Sequence, residues 1–413
     1  PVTIDRVRQT GRRTLIATQE WLKGSQGSTF HELMAEKVEI DPDWFKRWQE
    51  STNIDEGEYL RLTIRDEVYP ITLFVSPESG RIEKLKTMEW DVIYGDIELE
   101  VIFDQWQRVD GIDFPMLVKI SQGGAPRMEV RRSLVEVNPT QDPDYFKPAP
   151  GVVYKHDEVA ATRGKFLSQT IRMFTLAGAA RPQLNSIELE PGVDLIYALP
   201  VDGVYTMVVE QANGVVVIEP GMNDLKGEEI IKWIGKRYPG KPVTHLIVSH
   251  HHNDHGGGIR PYVASGATLV VHETATEFYK AQASRPKSRV LMDALDRNPQ
   301  SAKIVGVAAG DSYTIEDPTQ SVSVYPVLGG HTEDMVVAVL EKQSMLYAGD
   351  LYVSGIARDL RSGTKRGPNV LPFHSAVALD ETIRAYDLDV PILVGSHDRQ
   401  PVTYQDLVNY ITD

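Results

Sequence analysis

The sequence predicts an α+β protein in two parts, an antiparallel β-sheet domain followed by a domain whose sheets are covered by helices. Three observations carry this. Between Tyr59 and Val137, strand-patterned runs follow one another with only short polar turns between them. After Ile187, short apolar runs alternate instead with helix-patterned segments, the texture of sheets faced by helices. Between the two lies PTQDPDYFKPAPG (139–151), whose four prolines mark the strongest break in the chain.

Taken in order, residues 1–56 mix helical and polar stretches without a motif. The first strands are LRLTI (60–64), ITLFV (71–75), RIEKLKTMEW (81–90), DIELEVIF (96–103), FPMLVKIS (114–121) and RMEVRRSLVEV (127–137). SPESG, VDGID and QGGAP supply turns between them. Residues 1–150 are therefore expected to form an antiparallel domain with one buried face. Residues 151–186, with the apolar FLSQTIRMFTLAGAA (166–180), are expected to be a helical linker, and 187–413 the second domain. In that domain VYTMVVE (204–210), GVVVIE (214–219), THLIVS (244–249) and ATLVVHE (267–273) read as strands. Helices are expected at 226–238 and 274–283. Then come strands at 321–327, 335–341 and 344–350, a helix near 375–386, the strand PILVG (391–395) and a last helix near 402–411.

Composition narrows the function classes. The chain has 413 residues, 41% of them hydrophobic, which is ample for packed cores. The 43 Lys and Arg stand against 58 Asp and Glu, a net charge of −15 that opposes binding to nucleic-acid phosphates. No apolar run approaches the roughly 18 residues of a membrane-spanning helix. There is no cysteine, so disulfides, thiolate zinc sites and a Cys nucleophile are all excluded.

The chemistry concentrates in the histidines. Four of the eleven lie within six residues, His250-His251-His252-Asn253-Asp254-His255, where a uniform scatter would place about 0.2. The cluster directly follows the strand THLIVS and precedes Gly256-Gly257-Gly258. At a strand end alternate residues point the same way, so His250 and His252 can share one metal ion. Asp254 and His255 sit where the chain turns into the next helix and can reach a second ion. Imidazole with carboxylate suits Zn²⁺ or a related divalent metal such as Mn or Fe. One cluster cannot close two coordination spheres. His331, Asp350 and His397, each just after an apolar strand, are the candidates for the rest.

This series resembles the metallo-β-lactamase superfamily, whose main motif is His-x-His-x-Asp-His followed by a lone His, an Asp and a final His. The resemblance covers about residues 187–413. It implies a four-layer αβ/βα sandwich with the site at one edge between the sheets. It further implies two Zn²⁺ ions, one held by His250, His252 and His331, the other by Asp254, His255 and His397, with Asp350 bridging them. The activity implied is attack on a small ester, lactone or amide by a metal-bridging hydroxide, with Asp254 expected to be the general base. Two departures stand out. Where the family usually carries an Asp after its early strand, VVVIEPG offers Glu219 as the residue to orient a ligand. Asp350 departs from true β-lactamases and aligns the chain with lactonase-like and related hydrolase branches. The sheet at 59–137 weakly resembles periplasmic lipoprotein-carrier domains, which implies a scaffold, a dimerisation module or an apolar-ligand site. With a chain that starts at Pro1, a periplasmic or secreted location is expected, the cytoplasm being the alternative.

Around the metals, the segment 353–374 is longer than ordinary connections and carries Arg358, Arg361, Lys365 and Arg366 against Asp359. Arg361 and Lys365 are candidates to meet an anionic group of a small-molecule substrate, and the competing reading is a solvated loop. Tyr352 and His374 flank that segment as candidate donors to an oxyanion, with packing as the competing reading for the tyrosine. Glu333 and Asp334 read as a solvated turn, and His251 as a support for its loop. The alternatives are a β-lactamase of the all-His/Asp zinc class, an iron-dependent redox branch, and a non-catalytic metal- or lipid-binding protein. A homodimer is the base-rate expectation for assembly.

Overall fold

The computed structural model describes residues 58–64, 69–140, 182–199, 203–289, 292–354, 371–398 and 400–412. Most of the expected linker, and Arg361 and Lys365, lie outside the described residues.

The first sheet is a six-stranded antiparallel meander in chain order. Its strands are β1 (Leu60–Ile64), β2 (Ile71–Val75), β3 (Ile82–Asp91), β4 (Gly95–Val109), β5 (Ile112–Gln122) and β6 (Ala125–Arg131). The β4–β5 hairpin closes through Asp110-Gly111, both at positive φ (46° and 79°), the two-residue turn whose twist matches antiparallel strands. β4 runs on through the polar DQWQRV to Val109, pairing in one register down to Ile112. Its polar tail hid that extension from periodicity. β6 stops at Arg131 rather than Val137. Its last pairing is Leu117↔Arg131, and one further backbone bond runs from Arg132 N–H to the Met116 carbonyl.

The second sheet has seven strands, with spatial order β13-β12-β11-β10-β9-β8-β7. They are β7 (Gln183–Glu190), β8 (Val193–Leu199), β9 (Thr206–Glu210), β10 (Val215–Ile218), β11 (Val243–Ile247), β12 (Thr268–His272) and β13 (Lys303–Val307). β7 starts inside the segment expected to be helical linker, so residues 183–186 are strand. QLNSIELE alternates and pairs with β8 from Gln183↔Leu199 onward, which settles its conformation. From β10 to β13 the pairing is parallel. The crossovers carry α1 (Asp224–Arg237), then α2 (Asn253–Gly256) with α3 (Arg260–Ser265), then α4 (Thr276–Ser284) with α5 (Ala294–Arg297).

The third sheet has six strands in chain order: β14 (Tyr313–Ile315), β15 (Val322–Pro326), β16 (Val336–Leu340), β17 (Met345–Gly349), β18 (Ile392–Gly395) and β19 (Val402–Thr403). Helix α6 (Leu371–Ala385) makes the parallel crossover between β17 and β18, and α7 (Tyr404–Thr412) closes the chain.

Three cores fix the layering. Val215 and Val217 of β10 face α1, α3 and α4, together with Ile230, Ile234, Tyr262 and Tyr279. Val216 and Ile218 face the other way and meet Val322, Val336 and Tyr347 of the third sheet. The far side of that sheet packs Leu346 and Leu393 on Leu379, Ile383 and Leu407 of α6 and α7. The order is therefore helices, sheet, sheet, helices. Strands buried on both faces read as unbroken apolar runs, as VVVI does.

Candidate metal centre

The carboxyl ends of β10, β11, β17 and β18 open onto one edge of the two facing sheets, where open α/β sheets gather their ligands. Glu219 leaves β10, His250 and His252 follow β11, Asp350 follows β17, and His397 follows β18. His331 arrives on the β15–β16 connection. Each polar residue begins where its strand runs out of pairing partners, so an apolar strand delivers a polar side chain at a fixed point.

Seven side chains converge there in two groups. In the first, His252 Nδ1 lies 2.9 Å from His250 Nε2 and 3.1 Å from His331 Nε2. Asp350 Oδ2 completes it, 3.9 Å from His250 Nε2 and 3.5 Å from His331 Nε2. The second group is Asp254, His255 and His397. Here Asp254 Oδ2 is 3.4 Å from His255 Nε2. Asp350 stands between the groups, with Oδ2 3.2 Å from His255 Nε2 and Oδ1 3.1 Å from His397 Nε2.

The outer partners orient the rings. Glu219 Oε1 sits 3.2 Å from His255 Nδ1, with both side chains fully buried. His397 Nδ1 donates to the Gly203 carbonyl. Ser249 Oγ is 2.8 Å from His250 Nδ1, and Ser396 Oγ donates to Asp350 Oδ1. Fixing the outer nitrogen of a ring in this way aims the inner one at the site. Glu219 sits at φ 69°, a left-handed backbone uncommon for a non-glycine residue and a feature that clusters at functional sites.

The loop is held just as firmly. A Cβ on Gly257 would fall 2.1 Å from the Met222 carbonyl oxygen, so only glycine lets the His loop lie against the β10–α1 connection. Tyr279 donates to the His250 carbonyl at 2.8 Å. Arg260, two positions after the last of the glycines and buried, donates to Asp293 at 2.6 Å, to Asp296 at 2.7 Å and to the Ala283 carbonyl at 2.7 Å. His251 turns away from the ligand side, its Nδ1 2.7 Å from Asp334 Oδ1.

The electrostatics divide the imidazoles. Burial pushes His250 well down and His252 to about 3, helped by neighbouring rings, and burial lowers His331 too. These three are neutral, with lone pairs to give. Burial also opposes a charge on His255 and His397. There the carboxylates win: Asp350, Asp254 and Glu219 hold His255 well above its ordinary value, and Asp350 raises His397 to about 9. Burial works against ionised Asp350 and Asp254, but His255, with His397, keeps both below the usual carboxylate range. The cluster thus concentrates carboxylates whose charge a bound cation would balance.

A metal pair fits this donor set. His255 Nε2 is buried with no hydrogen-bond partner, although it points at two carboxylates. A tetrahedral ion with ~2.05 Å bonds separates its ligand atoms by about 3.4 Å. The separations here, 2.9 to 3.9 Å, straddle that edge.

The other expectations fall out unevenly. Tyr352 is buried in the third core with its ring 5.8 Å from Tyr410, so packing describes it. His374 lies in the first turn of α6, next to Ser375, whose Cα would be 3.5 Å from a Cβ on Gly330. Asp334 is no solvated turn residue. It is buried and braces His251, a role that spacing could not reveal because its partner is 83 positions away. Ser249 and Ser396 also went unread, though each directly precedes a candidate ligand, and that repeated Ser-His pair was the available signal.

Residues 199–397 match the family model for the metallo-beta-lactamase superfamily. This part of the chain belongs to the metallo-β-lactamase superfamily. The match takes in every one of the seven converging residues. A metallo-beta-lactamase type 2 from Elizabethkingia meningoseptica is 28% identical over 149 residues, 36% of this chain. The chain spans about half the length of that curated relative (52%). Among solved structures, a metallo-beta-lactamase from Pontibacter korlensis is 21% identical with a TM-score of 0.42, covering 56% of this chain and 98% of its own. One from Hirschia baltica is 19% identical with a TM-score of 0.40, covering 55% and 96%. The superfamily's layered αβ/βα arrangement is the one built here from the three cores.

Proposed function

We propose that the chain is a dinuclear zinc hydrolase of a small ester, lactone or amide. The observation that carries this reading is the position of Asp350, whose two oxygens lie within reach of His255 on one side of the site and His331 and His397 on the others. His250, His252 and His331 would hold one ion, and Asp254, His255 and His397 the other, with Asp350 common to both. When bound, such a pair supplies a Lewis acid for the scissile carbonyl and an activated water near neutral pH. The chain's own residues do the rest. Asp254, held ionised beside His255, accepts the proton released as water attacks. Glu219 and the Gly203 carbonyl hold the rings of His255 and His397 in line, and Asp334 braces the His loop through His251.

A second reading, a β-lactamase, is favoured by the name of the 28%-identical relative. The central place of Asp350 favours the first. The test is turnover of a panel of lactone, ester, thioester, amide and β-lactam substrates by the zinc-loaded chain. Hydrolysis of an ester, lactone or amide, lost on chelation and restored by zinc, is expected. Nitrocefin as the best substrate would favour the second reading. Iron at stoichiometry with no hydrolysis across the panel would overturn both.

A further inference from the structure

Helix α1 buries a lysine in its first turn. Lys226 is only 1% exposed, although a buried ammonium is costly unless it is hydrogen-bonded. Its Nζ donates to the Val204 carbonyl at 2.9 Å. Its backbone N–H donates to Asn223 Oδ1, the cap of α1, at 2.9 Å. The stem between them lies against Gly221, where a Cβ would be 2.7 Å from Lys226 Cδ and 2.8 Å from its Cγ. Gly221 stands at φ 89°, which only glycine adopts freely, so the β10–α1 connection is shaped around this side chain.

Both ends of that side chain lead to the outer partners of the same pair of rings. Gly221 lies two positions after Glu219, which meets His255 Nδ1 at 3.2 Å. Val204 directly follows Gly203, whose carbonyl accepts from His397 Nδ1. The stretch entering β9 is also laid along the end of β18, for Tyr205 N–H donates to the Ser396 carbonyl at 2.7 Å. On its other side the Tyr205 carbonyl accepts from Tyr347 Oη at 2.5 Å. Lys226 therefore ties the connection that carries one acceptor to the segment that carries the other. The His250 ring rests on a different support, Ser249 Oγ at the end of β11.

Resting on the two-ion reading above, we infer that Lys226 is a positioning residue for one of the two ions, the one assigned to Asp254, His255 and His397. It fixes where Gly203 and Glu219 stand relative to each other. Each of these holds the outer nitrogen of one ring, so together they aim the inner nitrogens of His397 and His255. The two ions then depend on Lys226 to different degrees, although one edge of the sheets holds both.

The experiment uses the full chain as wild type, Lys226→Met, His397→Ala and the double variant, and measures stepwise zinc affinities by competition with chelators. Methionine keeps an unbranched stem against Gly221 and removes the donor, and Lys226→Gln takes its place should that chain not fold. Loosening the outer partners of a metal ligand costs about 10- to 100-fold in affinity. Lys226→Met should weaken one zinc step by about that much and leave the other within about twofold. It should add nothing to the loss in His397→Ala, where the same position already lacks a ligand. Equal weakening of both steps, two unchanged steps, or a further loss in the double variant overturns the inference. A second measurement needs no metal. With isotope-labelled histidine in the zinc-free chain, solvent exchange of the His255 and His397 ring N–H groups should quicken in Lys226→Met. The His251 ring N–H, held by Asp334, should keep its rate. If the wild type binds fewer than two ions, the two-ion reading fails and the exchange rates still decide the positioning role, unchanged rates overturning it.

Discussion

His255 shows at the scale of one residue how the centre is tuned. Its outer nitrogen is held by Glu219, its inner one is buried without a hydrogen-bond partner, and three carboxylates surround it. Asp350 raises His397 to about 9, and the carboxylates around His255 hold it above the ordinary imidazole range, so both rings favour the protonated form. A cation must displace those protons. Below pH ~9 the proton displaced from His397 makes apparent zinc affinity rise by as much as tenfold per pH unit, and that contribution ends once His397 is neutral. Competition against a chelator between pH 6 and 9 should therefore give affinity that climbs with pH, and a flat profile would contradict the protonated pair. Asp254→Asn should cost about 10²-fold or more in kcat and weaken the cation shared with His255. Full activity with full metal content would remove Asp254 from the mechanism. At this scale the seven converging residues were legible because strand ends advertise them. Asp334 and the Gly203 carbonyl were not, because their partnerships exist only after distant segments meet.

Elements made of unbroken apolar runs were the most legible. β10, β11, β12, β16 and β17 all fall within a residue or two of where the pattern puts them, since burial on both faces demands VVVI-like sequence. β13 was missed because KIVGV is only partly buried and interrupted by Gly306, where a Cβ would be 3.0 Å from the Glu273 backbone. β7 was missed because it alternates at an edge of the sheet. The same physics sets the cost of change in the His loop. Gly257→Ala forces a methyl group against backbone oxygens on both sides, so unfolding free energy should fall by about 2 kcal/mol or more and zinc affinity with it. Gly235→Ala, with open space around it in α1, should instead stabilise by about 0.5–1 kcal/mol. Thermal melts of the two variants check the contrast, and equal melting temperatures would contradict the close approach at Gly257.

Among the described residues, three sheets and three cores bring the candidate ligands to one edge, and the β3–β4 turn of the N-terminal meander docks onto the segment following α4. The change of texture along the chain exposed the division into an antiparallel part and a helix-covered part. That the first part touches the segment following α4 was not legible, because Asp96 and Ser288 are 192 positions apart and neither belongs to a motif. Among the described residues no helix is long and apolar enough to cross a membrane. The central claim is that this edge binds two divalent ions sharing Asp350. It is tested most directly by counting zinc per chain at saturation, by mass spectrometry under native conditions, in the wild type and in Asp350→Ala. Two ions in the wild type, with at least one lost in the variant, are predicted. A single ion in the wild type, or two ions bound undiminished without Asp350, would contradict the shared centre.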